Sequence, residues 1–229
     1  MPNCHIVRLG RIAYADALAI QLRIVERMKA TSPADAVMLL LEHNPVITIG
    51  RSGGADHLVA APAELARRGI ELVECSRGGD ITYHGPGQLV GYPIVRLPET
   101  DRDVHRFLRN VEATLIATLD RFGIQGGRVP RYTGVWVGDE KVAAIGVAFT
   151  RWISYHGFAL NITTELSAFD LIVPCGITDK RVTSMERLLG APPDWAEVET
   201  VIVEEFIRCF GFDAARDCPS VDDLPEDLR

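Results

Sequence analysis

The chain has 229 residues, 47% of them apolar and 24% charged, with a formal net charge of −7. This balance suits a globular protein with one sizeable core, and its acidic sign argues against a general nucleic-acid binder, whose footprint is a basic excess. No run approaches the roughly 20 apolar residues of a membrane span. Five scattered cysteines with no CxxC pair exclude a zinc ribbon or thioredoxin-type motif and point to a reducing, cytoplasmic setting.

In chain order, Tyr14 to Lys29 reads as a helix, because Ala17, Ile20, Ile24 and Met28 recur at helical spacing between charges. The apolar run Ala36 to His43 reads as a buried strand, Asn44-Pro45 as a turn, and "VITIG" as a second strand ending at Gly50. Pro62 opens a short helix to Arg68, and "GIELVEC" is a strand leading into the polar, glycine-rich "RGGDITYHGPGQ" (Arg77 to Gln88). A strand "QLVGYPIVRL" follows. A helix from Asp101 to Phe122 has Val104, Leu108, Val111, Leu115 and Leu119 on one face and Gly123 as its stop. "GVWVGDEKVAAIGVAF" reads as a hairpin turning at Gly138-Asp139, "SYHGFALNI" as a strand, and Asp194 to Phe210 as the last helix. The pattern predicts an α/β or α+β fold around a mixed or largely antiparallel sheet, with residues 1–215 as one domain and 216–229 as a flexible acidic tail.

The glycine-rich segment is built to approach something closely. Gly78-Gly79 permits close backbone contact, Gly85-Pro86-Gly87 makes a tight turn after His84, and Arg77 is able to bind a carboxylate or phosphate. It is not a P-loop, because the GK[ST] ending is missing, nor a dinucleotide-binding fingerprint. A plain hairpin loop with a packing histidine is the alternative reading of the same residues.

Two further residues stand out. Cys175 sits between Pro174 and Gly176 at the end of an apolar strand, a rigid setting of the kind that holds nucleophiles; a small buried hydrophobe is the other reading. Its thiolate needs help from a cation or base, and Lys141, His84, His156 or a helix N-terminus are the candidates. Only three of the 24 basic residues are lysines (Lys29, Lys141 and Lys180). Lysine can give up its proton at working pH and arginine cannot, so Lys141 at the head of the small-residue strand "KVAAIGV" suits a pocket wall; an ordinary turn lysine after "GDE" is the other reading.

"RGGDITYHGPGQLVGYPI" is similar to the signature of the lipoate-biosynthesis octanoyltransferases, and the resemblance continues through "LEHNPVITIGRSG", "GVWVGDEKVAAIGV", "HGFALNI", "IVPCGI" and "VTSMERLLG" in the family's order. Asn44 and Ile47 depart from that pattern, away from the presumed chemistry. The resemblance implies a biotin/lipoate protein ligase-like catalytic acyltransferase domain, a mixed sheet flanked by helices. It implies a Cys175/Lys141 dyad: Cys175 takes the octanoyl (or lipoyl) group from an acyl carrier protein thioester, Lys141 acts as base, and the acyl group passes to a lysine of a lipoyl domain. Those domains belong to 2-oxoacid dehydrogenase complexes and the glycine cleavage H protein. The matching substrate-binding positions are Arg77, Gly78, Gly79, Asp80, Ile81, Thr82, Tyr83, His84, Ala144, Ile145, Gly146, Gly157, Phe158 and Ala159, with Ile145, Phe158 and Ile177 lining a tunnel for the acyl tail. No metal, ATP or other cofactor is implied, nor nucleic acid or membrane, and the protein is expected to be a monomer. Arg51, Arg77, Arg151 and Arg181 are candidates for a basic patch that meets the acidic carrier. An ATP-dependent lipoate or biotin-type ligase is the alternative, and an inert module that docks carrier or lipoyl domains is a third reading.

Overall fold

The computed structural model describes residues 2–173 and 181–229. Its main sheet runs in the order β12-β1-β2-β6-β10-β9-β8-β7, with β11 pairing β9. The strands are β1 (Cys4–Ile12), β2 (Ala36–His43), β6 (Gln88–Ile94), β7 (Gly127–Val129), β8 (Tyr132–Val137), β9 (Glu140–Thr150), β10 (Ile153–Asn161), β11 (Arg181–Val182) and β12 (Ala215–Cys218). A small second sheet has the order β4-β3-β5, built from β3 (Val46–Ile49), β4 (Glu71–Glu74) and β5 (Ile81–His84). Both sheets are mixed. β1 and β2 are parallel and joined by helix α1 (Tyr14–Thr31), whereas β2–β6–β10–β9 are antiparallel.

Helices cover both faces of the main sheet, which is why β2 is apolar along nearly its whole length. On one face, Phe107, Val111 and Leu115 of α3 (Val104–Arg121) and Val198, Ile202 and Phe206 of α5 (Trp195–Phe210) pack on Leu40, Leu89, Phe158 and Leu160. Helix α3 starts three residues later than its apolar pattern predicts, because Glu99–Asp101 forms a short 3-10 turn and Asp103 caps the helix through the His105 and Arg106 amides at 2.8 and 3.1 Å. On the other face, Ala17, Ile24, Val25 and Met28 of α1 pack on Val37, Leu39, Val90 and Ala159. The small sheet has its own cluster, in which Ile47, Ile81 and Tyr83 meet Leu65 of α2 (Pro62–Arg67) and Phe169 and Leu171 of the 3-10 turn Leu166–Leu171.

The segment 216–229 differs from the flexible tail expected of it. Residues Ala215 to Cys218 extend the main sheet beside β1, and Val221, Leu224 and Leu228 are buried against α1. Acidic residues dominate the segment's composition, but these three side chains between them carry its packing. Removing residues 219–229 strips about three apolar side chains from the core, at roughly 1.5–3 kcal/mol each. At about 2–4 °C per kcal/mol for a chain of this size, the truncated protein is expected to melt at least ~10 °C lower by calorimetry. An unchanged Tm would remove this segment from the core.

Candidate active site

The glycine-rich segment links the two sheets: β5 belongs to the small one, β6 to the main one, and Gly85-Pro86-Gly87 turns between them. Where the small sheet lies over β9 and β10 there is a cavity of about 370 Å³. One wall is the main sheet, with Ala144, Gly146, Gly157 and Ala159 leaving room that larger residues would fill. Arg77, Gly79, Asp80, Ile81, Thr82 and His84 form the facing wall. The loop from Arg77 to Asp80 is stitched to the Gly50–Gly53 loop by Gly50 N to Asp80 O (2.9 Å), Arg51 N to Arg77 O (3.0 Å) and Ser52 N to Gly79 O (3.1 Å). It is also pinned to β9 by Gly78 N to Val147 O at 2.9 Å. Gly146 is what permits that contact: a Cβ there would sit 2.8 Å from Gly78 O.

Arg77 is buried and donates to Thr48 Oγ1 (2.8 and 3.1 Å), Thr48 O (2.6 Å) and Gly78 O (3.1 Å). Among the described residues no carboxylate forms an ion pair with it, so its positive charge is felt in the cavity. Asp80, also buried, has Oδ2 2.5 Å from His57 Nδ1.

A β-bulge aims Lys141. Val135 pairs with Ala143 and Trp136 with Lys141, so Val142 is the extra residue opposite β8. Val142 and Ala143 both enter the core beside α3, and the shift moves Lys141 out of Ala143's face and onto the cavity wall with Ala144 and Gly146. Gly134, at φ +129°, makes the close approach possible, since a Cβ there would lie 2.6 Å from Ala143 O. Lys141 Nζ lies 4.8 Å from the centre of the Trp136 ring.

Behind the cavity lies a cluster of neutral rings. His43 accepts from the Tyr92 hydroxyl at Nε2 (2.6 Å) and directs Nδ1 at Ile12 O (3.2 Å); the Tyr14 and His84 rings are 5.3 and 5.7 Å from it. His156 has φ +58°, a left-handed conformation within a strand. Strict alternation would send its ring toward α3 with Phe158; instead the ring meets Tyr92 on the α1 side and Nε2 lies 3.2 Å from Ser76 Oγ. Its amide is rescued by the buried Gln21 of α1 at 2.7 Å. Burial pushes all three histidines down, His43 and His156 to about 4 and His84 to about 3, with Arg77 adding to the effect on His84 and His156.

These rings bind protons less readily folded than unfolded, where the ordinary value is about 6.5. Stability is therefore complete above that value and is lost as pH falls toward about 4. Unfolding by urea is expected to give a stability at pH 5 a few kcal/mol below that at pH 7, on the order of 1.4 kcal/mol per pH unit per ring. Equal stabilities at the two pH values would mean that the rings are not held neutral.

Among the residues singled out from sequence, Lys141 and Arg77, Gly79, Asp80, Ile81, Thr82, His84, Ala144, Ile145, Gly146, Gly157, Phe158 and Ala159 line this one cavity. Tyr83 does not: strand alternation turns it into the small sheet's cluster, 5.7 Å from Phe169. Gly78 contributes backbone to β9 rather than cavity wall. Cys175 and Ile177 lie outside the described residues; the chain before and after them contributes Phe169 and Val182 to the cavity. Tyr14, Gln88, Tyr92 and Asn161 also line it; of these, the sequence places Gln88 in the glycine-rich segment and the others only within a helix or strands. Gln88 and Asn161 were detectable as amides in otherwise apolar strands.

The family model of the lipoyl protein ligase A/B catalytic domain matches residues 13–207. The chain is 50% identical to an octanoyltransferase of Solibacter usitatus, covering 93% of this chain and 96% of that protein. It is 49% identical to an octanoyltransferase of Myxococcus xanthus, over 94% of this chain and 61% of that longer protein. By structure, it superposes on a lipoate protein ligase from T. acidophilum with bound lipoic acid at a TM-score of 0.77 and 15% identity, covering 100% of this chain and 92% of the other. At that identity the likeness concerns the fold, which agrees with the ligase-like architecture expected from the sequence motifs. The chain belongs to the lipoyl protein ligase A/B catalytic domain family.

Proposed function

We propose that this protein is an octanoyltransferase, carrying an octanoyl (or lipoyl) group from an acyl carrier protein thioester to a lysine of a lipoyl domain through an acyl thioester on Cys175. The observation that carries the reading is Lys141, turned by a bulge onto a cavity floored with alanine and glycine, in a chain about half identical to octanoyltransferases. Lys141 takes the thiol proton and Cys175 attacks the donor thioester; the carrier thiol leaves with that proton. The acceptor amine then attacks, the carbon–nitrogen bond forms as the carbon–sulfur bond breaks, and one amine proton passes through Lys141 to the Cys175 sulfur. Exchange of one thioester for another, followed by amide formation, is balanced and then downhill, so no nucleotide is required. The acyl tail gains roughly 0.8 kcal/mol per buried methylene against Ile145 and Phe158.

The arginines support carrier docking unequally. Arg77 is buried and serves the cavity, not the surface. Arg51 and Arg181 are exposed beside cavity residues, Arg131 is exposed on the cavity lining, and none has an ion pair among the described residues. Arg151 lies at the far β9–β10 turn. Octanoyl transfer from carrier protein to a lipoyl domain is expected to proceed without ATP. A strict ATP requirement would instead establish a lipoate or biotin-type ligase.

A further inference from the structure

His84 sits at the head of a buried chain of hydrogen bonds whose direction is forced. The carbonyl of Thr183 can only accept, so at 2.9 Å it takes its proton from Asn161 Nδ2. Asn161 Oδ1 is therefore the acceptor for Gln88 Nε2, also at 2.9 Å. A second acceptor for the same Gln88 nitrogen, Tyr83 O at 3.3 Å, fixes the amide the same way. Gln88 Oε1 is left to accept from His84 Nδ1 at 2.7 Å. His84, Gln88, Asn161 and Thr183 are all buried. The neutral ring must then carry its hydrogen on Nδ1 and a lone pair on Nε2. That Nε2 has no hydrogen-bond partner among the described residues, and His84 lines the cavity. The chain's far end is tied to the same wall as the lysine, through Thr183 N to Lys141 O at 2.9 Å.

A lone pair held this way recognises an N–H or O–H donor. At the reacting end of the donor, the acyl chain and the thioester carbonyl have none, whereas the attacking amine has two hydrogens. We infer that His84 is a catalytic residue of the second half-reaction, its Nε2 receiving one N–H of the acceptor lysine's neutral amine so that the nitrogen lone pair is free to attack the acyl carbon in the cavity. The assignment rests on the octanoyltransferase reading. The proton lost on amide formation leaves by way of Lys141; the hydrogen held by His84 stays on nitrogen and becomes the amide hydrogen. His84 thus remains neutral throughout, in keeping with its setting among His43, His156, Tyr14 and the Arg77 charge.

The test separates the half-reactions. Octanoyl adduct formation on the full chain from octanoyl-carrier protein, and its single-turnover decay on adding lipoyl domain, are followed by intact mass spectrometry for wild type, His84→Ala and Gln88→Glu. Gln88→Glu keeps an oxygen at His84 Nδ1, cannot donate to Asn161, and holds the imidazolium, so Nε2 becomes a donor. Both variants are expected to load within about 3-fold of wild type and to transfer at least ~100-fold more slowly, with transfer by Gln88→Glu recovering as pH rises and its imidazolium loses the proton. His84→Ala or Gln88→Glu transferring at the wild-type rate would overturn the assignment. So would an equal loss in both half-reactions at every pH, which is the signature of a packing role. A wild-type chain that never loads octanoate would overturn the octanoyltransferase reading itself, and the role of His84 with it.

Discussion

Replacing Cys175 with alanine is expected to abolish the octanoyl adduct and to lower transfer to lipoyl domain by at least ~10³-fold, the scale on which enzymes lose rate when a covalent nucleophile is removed. The cause is direct: without the thiolate the donor thioester must be attacked by the acceptor amine, which is protonated at neutral pH and has no prior acyl-enzyme to meet. Cys4 and Cys218 are poor substitutes. Burial drives the Cys4 thiol far up, and Cys218 is raised by burial and by Asp223 and Asp217. Incubation of Cys175→Ala with octanoyl-carrier protein, followed by intact mass measurement, reads the result. A full adduct on that variant removes the assignment.

Lys141→Arg is the second large effect. The guanidinium is able to keep its charge and its place over Trp136, 4.8 Å from which the lysine nitrogen now lies. It cannot release a proton at working pH, so the variant is expected to lose ~10²–10⁴-fold in kcat, the usual contribution of a positioned acid or base, while folding normally. Calorimetry and steady-state rates on one preparation separate the two properties. Full activity in Lys141→Arg would reduce Lys141 to an electrostatic role. A loss of stability equal to that of a core mutation would make it a support of the bulge.

The residues that carry chemistry were visible in the sequence because they break its local pattern. A lysine in an arginine-rich chain, a cysteine between proline and glycine, and a run of glycines among polar side chains each violate what a plain strand or turn needs. Their meeting was not visible. Lys141 and the glycine-rich loop come together through the Gly78–Val147 contact onto β9, which is long in sequence. The bulge at Val142 reverses the face that alternation assigns to Lys141, and no residue type announces it. Tyr83 shows the converse: it belongs to a polar-looking motif but follows simple alternation into the small sheet's core. The packing of the C-terminal segment is hidden from composition, which counts charges, whereas packing depends on where Val221, Leu224 and Leu228 fall between them. Fold class was easier, since apolar periodicity located the long helices and most strands within a few residues.

Peptide mapping of the octanoyl-enzyme locates the acyl group on the chain. The wild-type chain is loaded from octanoyl-carrier protein without ATP, quenched in acid, digested and sequenced by tandem mass spectrometry, with a second sample chased by lipoyl domain before the quench. A single octanoyl group is expected on Cys175, lost in the chased sample as the lipoyl-domain lysine gains it. An octanoyl group on Cys75 or Lys141, or one on Cys175 that persists through the chase, would contradict it.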